Sequence, residues 1–112
     1  MHICVCVCTY KRPHMLANLL HHLERQQTAG GFTYSVVVAD NDRERSAEFV
    51  VADIASHSTV AMTYCVEPEQ NIAKARNAAL AHALGDFIAM IDDDEIPPDM
   101  TAGQLHDRMA PL

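Results

Sequence analysis

The sequence predicts an α/β fold in which a mostly parallel sheet carries helices on both faces. Two observations lead there. Apolar, β-branched runs alternate with stretches of helical periodicity along all 112 residues, the pattern of right-handed strand-helix-strand units. One of those runs, Tyr34 to Ala39, is β-branched and continuous enough to suggest a strand covered on both faces.

Each element has its own signal. Ile3 to Thr9 reads as a strand, and after the polar turn Tyr10-Lys11-Arg12 comes Pro13, suited to the first position of a helix. Leu16, Leu19, Leu20 and Leu23 follow at offsets of three, four and seven, which makes one apolar stripe and leaves His21 and His22 near the polar side. Ala29-Gly30-Gly31 breaks that helix, and the strand Tyr34 to Ala39 then runs to Asp40. After the polar loop Asn41 to Arg45, Ser46 is placed to cap a helix to about Ser56, with Phe49, Val50, Asp53 and Ile54 towards its inner face. Val60 to Val66 is a short strand. Asn71 caps a third helix, in which Ile72, Ala75, Ala79, Leu80, Ala83 and Leu84 keep helical spacing, and Gly85 suits its end. The last strand, Phe87 to Ile91, delivers Asp92-Asp93-Asp94-Glu95. Pro97 and Pro98 then suit the start of another helix.

The bulk numbers exclude several functions. A chain of 112 residues with 49% hydrophobic residues has room for one domain and one modest core. A net charge of −7 argues against nucleic acid or an anionic membrane surface as the main partner. No apolar stretch approaches the roughly 20 residues needed to span a bilayer, and no basic segment leads into a signal-peptide core, so a cytoplasmic location is expected. Cys4, Cys6 and Cys8 alternate within one strand and share a face about 6.7 Å apart. That spacing suits neither a thiolate metal cluster nor a disulfide, so these three and Cys65 read as small, reduced packing residues.

Four adjacent carboxylates at a strand end repel one another unless something offsets them. Side chains alternate along a strand, so Asp92 and Asp94 emerge on one side and Asp93 on the other. This pairs two hard oxygen ligands for a divalent cation. A solvated acidic turn, or carboxylates in the first turn of a helix, would account for the same residues.

A second anomaly faces the first. Lys74 and Arg76 follow the Asn71 cap at the helix end where the dipole disfavours cations. A phosphate bound there would reverse the preference; pairing with Glu67 or Glu69 would also explain them. In parallel sheets ligands bind outside the carboxyl ends of the strands, where Thr9 and Tyr10, Asp40, Glu67 and the acidic tetrad all lie. A cation held by the carboxylates and a diphosphate held by the cations would neutralise each other across one shared site.

With these residues assembled, the chain resembles the N-terminal half of a family 2 glycosyltransferase of the GT-A, Rossmann-like fold. The segments VCVCTYKRP, SVVVADNDRE, NIAKARNAAL and GDFIAMIDDDEIPPD carry the likeness in order. The resemblance implies a nucleoside-diphosphate sugar as donor and inverting transfer to an acceptor. It implies that Thr9 and Tyr10 line the nucleotide pocket, with Asp40 and Asn41 at the base, and Lys74 and Arg76 near the base or diphosphate. Asp92 and Asp93 would flank the ribose and metal, and Asp94 would be the principal ligand of Mn2+ or Mg2+, with Asp92 beside it.

The chain departs from the family pattern in three places. Asp42-Arg43-Glu44-Arg45 stands where a glycine-serine turn is usual, and Met100 and Thr101 stand where an aromatic often follows the proline. In family members the acceptor-binding half and the catalytic base lie well beyond the acidic motif. Residues 1–112 are therefore expected to form one partial domain with its base elsewhere, Glu95 suiting a supporting place, and with a cut sheet edge open to self-association. Two other readings compete, the first sharing a parallel sheet with clustered aspartates and a divalent metal, the second keeping the fold. A phosphoacceptor signalling domain would need its aspartates at the first strand end, where Thr9-Tyr10-Lys11 stands. A non-catalytic module could bind a nucleotide or a partner without transferring sugar.

Overall fold

A computed structural model describes residues 1–25, 32–94 and 109–111. The break expected at Ala29-Gly30-Gly31, Glu95, the helix start at Pro97 and Pro98, and Met100 and Thr101 lie outside them.

Five strands form one sheet in the order β3-β2-β1-β4-β5, where β1 is His2–Thr9, β2 Thr33–Asp40, β3 Met62–Val66, β4 Phe87–Asp92 and β5 Met109–Pro111. The first four pair in parallel, and β5 runs antiparallel along β4. The short β5 was not expected. It covers the outer edge of β4, so among the described residues the edge strands are β3 and β5.

Helix α1, Pro13–Glu24, and helix α2, Glu48–His57, pack on one face with Val5, Val7, Val36 and Val38. Leu16, Leu19, Leu20 and Leu23 of α1 are fully buried there, each contributing about 1.5–3 kcal/mol of burial. Helix α3, Ile72–Ala81, covers the other face, where Ala79 meets Cys4, Cys6, Val37, Ala39 and Cys65. Consecutive residues of β2 thus enter opposite cores, as its unbroken apolar run requires. The four thiols are free and line the α3 side, where small side chains on both surfaces let the helix lie close.

Some local expectations are corrected. Ser46 does not cap α2: the cap position is Ala47, with no side-chain cap bond. The inner face of α2 is Val50, Val51 and Ile54, while Phe49 stays 68% exposed. Helix α3 is capped by the Asn71 side chain, which accepts from the Lys74 N–H, but it ends at Ala81. Ile72 and Leu84 are exposed despite their helical spacing. Gly85 has another use, with φ +138° where β4 begins; a Cβ there would stand 2.9 Å from the His2 carbonyl oxygen. That close approach lets the Asp86 N–H reach the same carbonyl at 2.9 Å and seats β4 beside β1.

Candidate functional site

Strand register decides the site. Thr9 pairs with Asp40, Asp40 with Val66, and Cys8 with Asp92. The four strand ends therefore lie level, and Asp93, one residue past β4, comes beside Thr9. The chain runs from β1 outward to β2 and β3 and then returns to place β4 on the other side of β1. The β1/β4 seam is thus the point where strand order reverses, and ligands bind outside such seams.

A cleft of about 260 Å³ opens there, lined by Cys8, Thr9, Tyr10, Arg12, Asn41, Ile72, Ala75 and Asp92 to Asp94. Its acidic residues differ in exposure, with β4 ending at Asp92 and Asp93 and Asp94 in the turn beyond it. Asp93 is buried, whereas Asp92 and Asp94 are exposed. Thr9 Oγ1 donates to Asp93 Oδ2 at 3.0 Å, and Arg12 Nη1 donates to Asp93 Oδ1 at 3.4 Å. A buried carboxylate needs such partners, since leaving it unpaired costs several kcal/mol. Asp93 is thereby held inside the wall, and the two outward carboxylates remain at the mouth.

Asp40 has a different place from the one expected. It is fully buried and outside the cleft lining. Its Oδ1 accepts from the Asp42 N–H at 3.1 Å, and its Oδ2 accepts from the Ala47 N–H at 3.0 Å and the Tyr64 hydroxyl at 2.7 Å. These three bonds hold the β2–α2 loop against the end of β2. Burial, and then the bond to Asp40, push the Tyr64 hydroxyl above its ordinary pKa. The charged run after Asn41 folds as a turn of its own: Asp42 Oδ1 accepts from the Glu44 N–H, and Arg45, at φ 62°, pairs with Glu48 and lies over the Tyr64 ring.

Asn41 is the residue of this loop that reaches the cleft. Its amide donates to the carbonyls of Glu67 at 2.9 Å and Glu69 at 2.7 Å, and its oxygen accepts from the Asn71 N–H at 3.0 Å. One side chain thus ties β2 to the start of α3, so that Ile72 and Ala75 can form the far wall.

The two cations of α3 separate. Lys74 pairs with Glu69 and does not line the cleft, so the local ion pair accounts for its position. Arg76 is also outside the lining, but its charge lowers the Cys8 pKa while Asp92 and Asp93 raise it, which sets Arg76 and the carboxylates around one thiol. Burial outweighs Arg76 and pushes Cys8 up to about 11. Arg12, which the residue pattern did not single out, is the cation lining the cleft among the described residues. Its only signal was its place two positions after Tyr10.

Among the described residues, no three His, Cys, Asp or Glu side chains come together as a metal cage. Asp92 and Asp94 supply two carboxylates at an open mouth. That donor set fits a Mg2+-like site, in which one or two carboxylates are completed by phosphate oxygens and water.

Residues 4–110 match Glycosyl transferase family 2. The chain is 40% identical over 95 residues to the succinoglycan biosynthesis protein ExoM of Rhizobium meliloti (strain 1021), covering 85% of this chain and 30% of ExoM. It superposes with a TM-score of 0.74 and 27% identity on the mannosyltransferase PcManGT of Pyrobaculum calidifontis in complex with GDP-Man and Mn2+, over 86% of this chain and 28% of that one. The S. aureus protein TarS, residues 1–349, matches at TM-score 0.67 and 26% identity, over 86% of this chain and 28% of TarS. The chain spans less than a third of the length of these relatives.

Proposed function

This chain belongs to glycosyl transferase family 2, and on that premise we propose that its cleft binds the nucleotide end of a nucleoside-diphosphate sugar, with Mn2+ or Mg2+, for inverting transfer of the sugar to an acceptor. The observation that carries this reading is the convergence of Thr9, Arg12, Asp92, Asp93 and Asp94 on one cleft at the strand-order reversal. The GDP-Man and Mn2+ held by PcManGT support the same ligand class. A volume of about 260 Å³ is below the roughly 300–1,000 Å³ of complete ligand pockets, which suits one wall of a donor site rather than the whole of it.

The proposed roles are supported by the places of these residues in the cleft. Tyr10, 36% exposed on the cleft wall, offers a flat apolar face to a base, and Asn41 lines the same cleft. Asp93 fixes Thr9 and Arg12 in place, and its remaining acceptor capacity suits a ribose hydroxyl. Asp92 and Asp94 are the residues that would hold the metal, which when bound offsets the charge of the departing diphosphate as a Lewis acid. Arg12, with Arg76 nearby, supplies positive charge from the protein side. Activation of the acceptor hydroxyl by a carboxylate base is assigned to no described residue.

Titration of the chain with UDP- and GDP-sugars, with and without Mn2+, tests the proposal. Binding should require the metal and should fall at least about tenfold in Asp94→Ala, the loss of one of two charged ligands. Tight binding that ignores both changes would overturn it.

A further inference from the structure

We infer that Lys11, which lies outside the cleft, is a positioning residue for it, because the left-handed backbone of Lys11 is what turns Tyr10 and Arg12 onto the wall. The inference rests on the donor-binding reading. Between the end of β1 at Thr9 and the start of α1 at Pro13 the chain has three residues in which to reverse. Arg12 cannot make the turn. The ring of Pro13 drives the residue before it away from helical backbone, and Arg12 accordingly sits at φ −133°, ψ 57°. The reversal falls on Lys11, at φ 51°, a region that residues with a Cβ seldom enter.

The consequence is visible in what faces the cleft. The cleft is lined by Cys8 and Thr9 at the strand end and by Tyr10 and Arg12 on either side of Lys11, whereas Lys11 itself does not line it. The Lys11 ammonium instead folds back to 5.4 Å from the centroid of the Tyr10 ring, within reach of a cation–π contact. Beyond it the Arg12 carbonyl accepts the Leu16 N–H at 3.0 Å, which locks the turn onto the first turn of α1. A strained residue held from both sides thus presents an aromatic face and a guanidinium together.

Three variants of the full 112-residue chain test this, with UDP and GDP plus Mn2+ as probes and acrylamide quenching of tyrosine fluorescence as a second readout. Asn tolerates left-handed backbone, so Lys11→Asn should bind within about threefold of the parent. Lys11→Val, whose branched side chain disfavours it most, should bind at least about tenfold more weakly and expose tyrosine to the quencher. Lys11→Gly should melt no lower than the parent yet bind about threefold or more weakly, since the strain is relieved but the turn is no longer held. A merely structural role would move stability and affinity together. Equal binding and quenching in Lys11→Val and the parent would overturn the inference, as would equal losses in Lys11→Asn and Lys11→Val. If Lys11→Val fails to fold, the other two decide: affinity kept in Lys11→Asn and lost in Lys11→Gly sustains the inference, and equal affinity in Lys11→Gly and the parent overturns it. If the parent binds neither nucleotide, the donor-binding reading falls, and quenching alone then decides the role of Lys11: a rise in Lys11→Val sustains it and no change overturns it.

Discussion

Thr9 Oγ1 donates a 3.0 Å hydrogen bond to Asp93 Oδ2 across the β1/β4 seam, joining residues 84 positions apart in the chain. Both groups are buried, and the bond closes the floor of the cleft where strand order reverses. Its removal should be costly because the carboxylate stays behind. Thr9→Val keeps the shape and deletes the donor, and a hydrogen bond to a charged group contributes about 1.5–3 kcal/mol. Urea unfolding should show a loss of that size, with recovery in Thr9→Ser. An unchanged unfolding midpoint in Thr9→Val would mean that the bond is not made in solution.

The buried carboxylate of Asp40 gives a stability prediction of a different kind. Asp40→Asn turns an acceptor of three hydrogen bonds into an amide that faces at least one of those donors with its own N–H groups. The cost should be about 2–4 kcal/mol, read from chemical unfolding. Nucleotide affinity should fall as well, because the loop carrying Asn41 loses its anchor. A variant as stable as the parent would show that Asp40 is not the organiser of the loop.

The cations should separate in binding assays. Arg12 lines the cleft, the charge of Arg76 is felt at Cys8, and Lys74 is engaged by Glu69. Arg12→Ala and Arg76→Ala should weaken UDP and GDP about tenfold while leaving free nucleosides within about twofold, since each removes charge from the phosphate side. Lys74→Ala should change neither by more than about twofold, as exposed ion pairs contribute little. Isothermal titration of the three variants measures this. Equal losses for nucleosides and diphosphates would move the arginines away from the phosphates.

Cys8 reports on the cleft through its titration. Burial raises its pKa to about 11 from an ordinary 9.0, and burial likewise raises Cys65. A raised folded-state pKa means that the unfolded chain ionises first, so the contribution to stability is intact below pH 9 and is lost as pH rises towards about 11. Unfolding midpoints should therefore fall over that window, and less steeply in Cys8→Ala. In the folded protein Cys8 is the least buried of the four thiols. Alkylation at pH 7.5 should be slow, should modify Cys8 first, and should slow further when nucleotide and Mn2+ are present, all measurable by mass spectrometry.

Chain periodicity settled more of this protein than its polar residues did. The leucine stripe of α1, the two-sided apolar run of β2 and the order of strands and helices follow from side-chain geometry that repeats every 3.6 or 2 residues, so they are legible locally. The acidic motif divides into a buried Asp93 and exposed Asp92 and Asp94, but β4 ends at Asp92, so the turn beyond it and the bonds to Thr9 and Arg12 set that division. Helix ends were less legible. Leu84 keeps the helical period but lies beyond Ala81, because the chain must leave the helix early enough for Gly85 to pass His2.

What tertiary structure alone decided is which polar group serves the cleft and which serves the fold. Asp40 ends its strand as conspicuously as Asp92 does, yet register and loop packing surround it with three donors and leave it no surface. Lys74 and Arg76 differ by half a turn, and only the position of Glu69 separates them. Arg12 and β5 gave little local sign because each acquires its place from a partner distant in sequence, Asp93 for one and β4 for the other. Burial and charge pairing are properties of neighbours in space, and a linear pattern fixes them only where those neighbours are also neighbours in the chain.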